Sequence, residues 1–187
     1  MKRIHGLLLL LVFGSANAAL IDNGTSMIDT GTGLEWLDLT QTLGISWNAA
    51  EASTFVTVDG YAHASEAQVI ALFTNAGFLT TNNVNNVLNN PAASTLLSFL
   101  GCTQFCATVN ATGRGFASWS VTQTTRPNYH MSGLGAGAAT TSLLSSNFNL
   151  VDTTAGHFLV RPVPVPATVW LFGSALGLLG WARRRIT

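Results

Sequence analysis

Positive charge is almost missing from the middle of this sequence. Of the eight lysines and arginines, five lie at the two ends, as Lys2, Arg3, Arg183, Arg184 and Arg185. Residues 19–161 contain no lysine and only three arginines, against eight acidic residues, so their net charge is −5. Proteins bind nucleic acid through Lys and Arg side chains that neutralise phosphates. We therefore do not expect the central region to bind nucleic acid.

Cysteine is equally scarce, with Cys102 and Cys106 as the two in the chain. Two thiolates are too few for a closed structural zinc site, and the C-x3-C spacing differs from the C-x-x-C of disulfide oxidoreductases. In an oxidising compartment the favoured interpretation is a small disulfide between them. The pair predicts neither a metal nor another cofactor.

The motifs of common enzyme classes are also missing. The sequence has no G-x-S-x-G nucleophile elbow and no phosphate-binding loop. His63, His130 and His157 lie far apart without an H-x3-H or H-E-x-x-H spacing, so we interpret them as scattered histidines in loops or strands. An enzyme would need a pocket that brings a histidine and a carboxylate together. The chain is therefore predicted not to be an enzyme.

Several acidic residues cluster near the first turns of the central region: Asp22, Asp29, Glu35 and Asp38. Their carboxylate oxygens are suitable ligands for calcium, although their spacing does not match an EF-hand loop. The favoured interpretation is an acidic edge exposed to solvent, and calcium binding is the alternative.

The first eighteen residues have the pattern of a secretory signal peptide. Lys2 and Arg3 precede an apolar run from Leu7 to Phe13, and Ala16-Asn17-Ala18 is an A-x-A cleavage site. Cleavage after Ala18 would make Ala19 the first residue of the mature protein. This prediction implies the Sec export machinery as a partner.

The C-terminal residues 162–187 contain three segments in a fixed order. Prolines occupy every second position of residues 162–166, which predicts an extended and accessible tether. Residues 167–182 carry no charge and would form a helix roughly 24 Å long, slightly short of the ~30 Å hydrocarbon core of a membrane. Arg183, Arg184 and Arg185 would hold the end of this transmembrane helix in the cytoplasm, with the preceding chain outside.

This arrangement resembles the PEP-CTERM protein-sorting signal. The resemblance is carried by Pro164, Trp170, the glycines of Gly177-Leu178-Leu179-Gly180 and the final arginines. The form most similar to it reads Val-Pro-Leu-Pro-Ala, which here corresponds to Val163, Pro164, Val165, Pro166 and Ala167. The resemblance implies an exported protein of a Gram-negative bacterium that an exosortase-type membrane protease cleaves near the proline motif.

Residues 19–161 are predicted to form a single α+β body, with strands at both ends and helices between them. Asn23-Gly24 separates two short strands, and Leu34–Asp38 alternates as a half-buried strand does. Three helices are predicted: from Ser46 towards Phe55, from Ser65 to Gly77, and from Asn90 to Gly101. After them come strands over 115–121, 129–134 and 156–161, with a small-residue loop over 135–146. The first and last strands are expected to meet near the membrane anchor.

The body also resembles the C-terminal domain of collagen-like surface lectins, and more broadly the C-type-lectin-like and formylglycine-generating folds. The resemblance is carried by Thr32–Asp38, by Gly60–Ser65, by Phe116–Ser120 and by Phe158–Arg161. It implies a surface or adhesive role only loosely, because a fold does not determine a function.

Three functions follow from these patterns. The first is a non-enzymatic surface or extracellular-matrix protein, held briefly in the inner membrane and then released or attached by an exosortase. The second is a carbohydrate-binding adhesive module on the same scaffold, with exopolysaccharide as its partner. Trp36, Trp47 and Trp119 could then stack on sugar rings, with Trp36 and Trp119 as the leading candidates, although core packing is the more common role of such tryptophans. A secreted enzyme is the third.

Overall fold

The computed structural model describes residues 19–82, 84–120, 123–132, 135–139 and 146–164. The predicted signal peptide, residues 1–18, lies outside these ranges, and so do Val165, Pro166, Ala167, the rest of the apolar run and the arginine cluster 183–185. Among the helices within the described ranges, none has the length and apolar character that crossing a membrane requires.

The described residues form two sheets and four short helices, which confirms the predicted α+β class. The helices are α1 Trp47–Glu51, α2 Thr54–Thr57, α3 Glu66–Ala76 and α4 Asn90–Phe99, with 3₁₀ turns at Leu39–Thr42 and Val87–Asn89. The strands are β1 Leu20–Asp22, β2 Ser26–Asp29, β3 Leu34–Leu37, β4 Ala62–His63, β5 Thr112–Ser120, β6 Gln123–Thr125, β7 Asn128–Ser132, β8 Gly135–Ala139, β9 Gly156–His157 and β10 Leu159–Pro162.

The first sheet has the antiparallel order β1-β2-β3-β10-β4. Its first hairpin turns at Asn23-Gly24 as predicted, because Gly24 takes a positive φ of 88° and its N–H donates to the Asp22 carboxylate. The alternation of β3 places Trp36 on the inner face. Glu35 and Leu37 lie on the opposite face, where α2 and Tyr61 cover Leu37.

The register brings both ends of the described body to the same end of this sheet. Leu20 pairs with Asp29, Asp29 with Leu34, and Leu34 with Pro162. Three strand spacings separate β1 from β10, which is about 14 Å. The expectation that the first and last strands meet was therefore wrong in detail, because β2 and β3 lie between them.

The second sheet has the order β6-β5-β7-β8, and β9 pairs in parallel with β5. β7 pairs with β5 through Tyr129 and Gly113, so that β5 begins ahead of the strand predicted over 115–121. The predicted loop over 135–146 was wrong at its start, because Gly135–Ala139 forms β8. Small residues are needed there, since a side chain on Gly135 would collide with the backbone at Asn86. Residues 156–161 form two short strands, and the chain passes between the sheets at Phe158.

The helices follow their predicted signals closely at α3 and α4 and less closely at α1 and α2. Ser65 and Gln68 form a capping box at the start of α3, and Gly77 ends the helix with a φ of 100°. The single helix expected from Ser46 is instead two, α1 and α2, separated at Ala52 and Ser53. Ser53 ends the first helix because its hydroxyl donates to the Ala50 carbonyl.

Candidate ligand groove

Trp36 is not available to stack on a ligand. Its side chain is 0% exposed and meets the Phe158 ring edge-on, with ring centroids 6.2 Å apart. The same core cluster contains Phe73 and Tyr129. The prediction of a ligand-stacking role for Trp36 is therefore wrong, because the pleat of β3 turns this residue inward. The side chain of Trp119 lies outside the part of the molecule that the structure describes.

A different tryptophan lines an open groove of about 420 Å³. The groove is lined by Trp47 and Asn48 of α1, by Ser118 and Ser120 of β5, and by Phe148. These five side chains offer two aromatic rings, one amide and two hydroxyl groups, and none of them is charged. We call this site the Trp47 groove.

Two hydrogen bonds fix the segment of Phe148 against α1. The backbone N–H of Asn48 donates to the Phe148 carbonyl oxygen at 3.1 Å, and the Asn48 amide donates to the Asn149 side chain at 2.8 Å. The Trp47 and Phe148 rings meet edge-on, with centroids 5.7 Å apart. The two aromatic walls of the Trp47 groove are thus held together by short-range contacts and by the cap that Ser46 provides at the start of α1.

The Trp47 ring lies on the imidazole of His63. The two rings are nearly parallel, at 10°, with centroids 3.3 Å apart. His63 also accepts or donates at both of its nitrogens. Its Nδ1 contacts the Glu51 carboxylate, and its Nε2 lies 2.9 Å from Nδ1 of His157. The far nitrogen of His157 lies 3.1 Å from the backbone carbonyl oxygen of Ile45.

The structure therefore brings together two of the histidines that the sequence analysis treated as scattered. His63 and His157 are 94 residues apart, and β10 and β9 place them side by side. His130 is elsewhere, on β7, with its ring bonded to Asn85. Within the described residues, no group of three or more His, Cys, Asp or Glu side chains has the arrangement of a metal site.

Burial governs the protonation of the two paired histidines. It lowers the pKa of His157 to about 4, although the bond to the Ile45 carbonyl opposes this shift. Burial, and then the neighbouring His157, lower the pKa of His63. The Glu51 carboxylate on its other side favours the charged imidazole. The side chain of His63 is 3% exposed, whereas that of Glu51 is 45% exposed.

A second pocket, of about 270 Å³, lies on the outer face of the first sheet and includes Glu35, Tyr61 and Arg161. The Arg161 Nε lies 2.8 Å from Glu35, and its guanidinium lies over the Tyr61 ring at 4.6 Å. Desolvation raises the pKa of Glu35, but hydrogen bonds from Arg161 and Ser26 outweigh it, so that the pKa is lowered overall. Arg161 and Glu35 are paired with each other in this pocket, which Asp59 also lines.

The first acidic cluster is not a solvated edge throughout. Asp29 is fully buried and accepts hydrogen bonds from Gly31, Thr32 and Asn75. Glu35 is also buried, against Arg161. The prediction failed for these two residues because tertiary partners, which the local sequence does not reveal, satisfy their oxygens.

Cys102 and Cys106 are joined by a disulfide, with Cα atoms 5.5 Å apart. Phe105, between them, has a positive φ of 57° and is 59% exposed. Thr103 and Gln104 both donate to the Thr112 carbonyl oxygen. The disulfide therefore closes a short surface loop at the start of β5, on a different segment from the residues of the Trp47 groove.

Two of the five residues of the predicted sorting motif are described. The backbone N–H of Val163 donates to the Gly33 carbonyl oxygen at 2.9 Å, and Pro164 follows it. At the predicted signal-peptide cleavage site, the Ala19 N–H donates to the Thr30 hydroxyl at 2.8 Å. Ala16 and Ala18 of that site lie outside the described residues.

No protein-family model matches the chain, and neither a curated protein nor a solved structure shows significant similarity to it.

Proposed function

We propose that the chain is an exported bacterial surface or extracellular-matrix protein without enzymatic activity. In this proposal the Sec machinery exports it, a C-terminal helix over residues 167–182 holds it in the inner membrane, and an exosortase-type protease cleaves the tether. The observation that carries the proposal is the order of proline motif, apolar run and arginine cluster in residues 162–187, preceded at the other end by a signal peptide.

The geometry of the first sheet supports this arrangement. β1 begins at Leu20, directly after the predicted cleavage site, and β10 ends at Pro162, where the proline motif begins. Both points lie at the same end of the sheet, about 14 Å apart. A signal peptide and a C-terminal helix attached there would reach one membrane surface, with the body standing on the outer side of that membrane.

The non-enzymatic part of the proposal is supported by the position of the histidine and carboxylate that the fold brings together. His63 is covered by the Trp47 ring and is almost fully buried. A general base must come within hydrogen-bonding reach of its substrate, and His63 does not line the Trp47 groove. Its contacts suit a role within the protein.

Fractionation of cells that contain the exosortase tests the proposal. Replacing Pro164 and Pro166 together by alanine should leave the uncut protein in the inner membrane, because the motif recognised by the protease is lost. Pro162→Ala is the matched control, since it changes a proline of the same tether outside the five-residue motif. Release of the double variant to the same extent as the control would contradict the proposal.

A carbohydrate-binding module on the same scaffold is the second candidate function, and the Trp47 groove favours it. Aromatic rings provide stacking surfaces for the apolar faces of sugars, and amide and hydroxyl groups provide hydrogen bonds. Because the lining is uncharged, a neutral saccharide of the exopolysaccharide matrix suits it better than an acidic one. This candidate replaces Trp36 by Trp47 as the stacking residue.

Calorimetric titration of the protein with maltohexaose and cellohexaose tests this second candidate. Trp47→Ala should abolish binding, whereas Val58→Ala, a change at an exposed residue outside the groove, should leave it unaltered. Equal binding by both variants would exclude the Trp47 groove as the saccharide site.

A further inference from the structure

The contacts behind Trp47 form a row of three hydrogen bonds between two acceptors. They are Glu51 to His63, His63 to His157 at 2.9 Å, and His157 to the Ile45 carbonyl at 3.1 Å. A carbonyl oxygen only accepts hydrogen bonds, and an ionised carboxylate does the same. Three bonds between two such ends require three protons, whereas two neutral imidazole rings supply two.

The position of the missing proton follows from the buried end of the row. His157 must donate from Nε2 to the Ile45 carbonyl, so two neutral rings leave one gap without a proton, either between the two imidazoles or between His63 and Glu51. In the first case two buried lone pairs would face each other, whereas in the second the partly exposed Glu51 can turn away, so we place the gap between Glu51 and the Nδ1 lone pair of His63. The row is complete only when it holds one additional proton, on the Glu51 carboxyl group or on either imidazole.

Trp47 and Glu51 attach α1 to β4 through His63. Trp47 and Glu51 are four residues apart, so they lie on the same face of α1. Trp47 covers the ring of His63, and Glu51 bonds to its edge. His63 therefore holds α1 at two points, and one of these points is a wall of the Trp47 groove.

The surroundings leave few other groups to titrate. Among the described contacts of the two imidazole rings, Trp47 of α1 and Phe116 of β5 carry no titratable group. From the 3₁₀ turn before α1, the Thr42 hydroxyl, which does not titrate, accepts a hydrogen bond from the backbone N–H of His157. The titratable side chains in this row are thus Glu51 of α1, His63 of β4 and His157 of β9.

We propose that Glu51, His63 and His157 form a proton latch that fastens the Trp47 wall of the groove. With the additional proton bound, all three hydrogen bonds form and α1 is held against β4. When the proton leaves, the Glu51 carboxylate and the Nδ1 lone pair repel each other. Glu51, which is nearly half exposed, then turns into water and α1 is released.

The direction of the pH dependence follows from the proton count. Raising the pH removes the additional proton and opens the latch, and burial of His63 makes that proton easier to lose. Protonation of His157 does not break the row, because its Nδ1–H then donates to Nε2 of His63, whose Nδ1–H donates to Glu51.

NMR of the full chain in detergent, with labelled histidine and tryptophan, tests the latch from about pH 3 to pH 8.5. The His63 ring and the Trp47 indole should report one shared transition. Glu51→Gln should remove it, because the amide N–H donates to Nδ1 at every pH and keeps the latch closed. Glu66→Gln, the matched change at the start of α3, should retain the transition. Independent behaviour of the two rings, or a persistent transition in Glu51→Gln, would overturn the proposal.

A second measurement concerns the groove, and it rests on the proposed carbohydrate-binding function. The affinity for cellohexaose should change about 5- to 10-fold across the transition in the parent chain and not in Glu51→Gln. A shared NMR transition without saccharide binding would uphold the latch and reject the carbohydrate-binding candidate. Binding whose affinity is constant across that transition would reject the control of the groove by the latch.

Discussion

Replacement of Trp36 separates its role in the core from the ligand-binding role that the sequence suggested. Trp36→Ala should reduce the free energy of unfolding by about 3–5 kcal/mol, since a fully buried aromatic side chain is removed and a cavity remains. For a body of this size, about 3 °C of midpoint temperature is lost per kcal/mol. The melting temperature should therefore fall by roughly 9–15 °C.

Trp36→Phe should behave very differently. The indole Nε1 is buried and has no hydrogen-bond partner among the described residues. An unpaired buried donor costs about 1–3 kcal/mol, and removing it offsets much of the apolar surface that phenylalanine lacks. The expected change is below about 1 kcal/mol, with the edge-on contact to Phe158 retained.

Urea unfolding and thermal melting of the two variants, beside the parent chain, provide the measurement. A loss in Trp36→Phe as large as that in Trp36→Ala would refute the offset by the unpaired indole. A loss below about 1 kcal/mol in Trp36→Ala, accompanied by reduced saccharide binding, would refute the core assignment and restore Trp36 as a ligand-stacking residue.

Three further predictions concern stability, each measured by urea unfolding. Asp38→Asn should stabilise the protein by about 1 kcal/mol at pH 7. Burial and then Asp22 raise the pKa of Asp38 to about 6, and one of its oxygens has no partner among the described residues. An unchanged urea midpoint at pH 7 would argue against this. Glu35→Gln should lower the free energy of unfolding at pH 7 and make its decline in acid less steep. The lowered pKa of Glu35 stabilises the fold at pH values above the ordinary pKa of a glutamate, and this contribution is lost as the pH falls. A variant as acid-sensitive as the parent would refute this pH dependence. Replacing Cys102 and Cys106 together by serine should lower the free energy of unfolding by about 2 kcal/mol, the value for so short a closed loop. Equal stability of the variant and the parent under oxidising conditions would contradict this.

Local signals in the sequence predict the ends of single elements well. The capping box of Ser65 and Gln68 and the C-terminal Gly77 define α3, because all three act within one turn of the helix. The Asn23-Gly24 hairpin is predicted for the same reason, since the turn itself requires a positive φ. These features depend on neighbouring residues and not on the rest of the fold.

Features that depend on distant partners could not be predicted. The run Gly135–Ala139 looks like a loop, and it becomes a strand because β7 pairs with it and small residues fit beside Asn86. The meeting of His63 and His157 requires the pairing of β4 with β10 and of β9 with β5. No local pattern encodes those registers, so the latch and its contact with Trp47 emerge only from the tertiary structure.

The orientations of Trp36 and Trp47 could be predicted only in part. Trp36 lies in an alternating strand, which indicates that one face is buried without saying which residues face inward. Trp47 lies in a five-residue helix whose amphipathic pattern is too short to orient it. Only the placement of the two sheets decides that Trp36 belongs to the core and Trp47 to the groove.

The most direct test of the proposed function is the intact mass of the protein recovered from its host, in strains with and without the exosortase. The account predicts a mature species that begins at Ala19 and ends near Pro164 to Pro166, present only when the protease is present. A species that retains Thr187 in both strains would contradict the account.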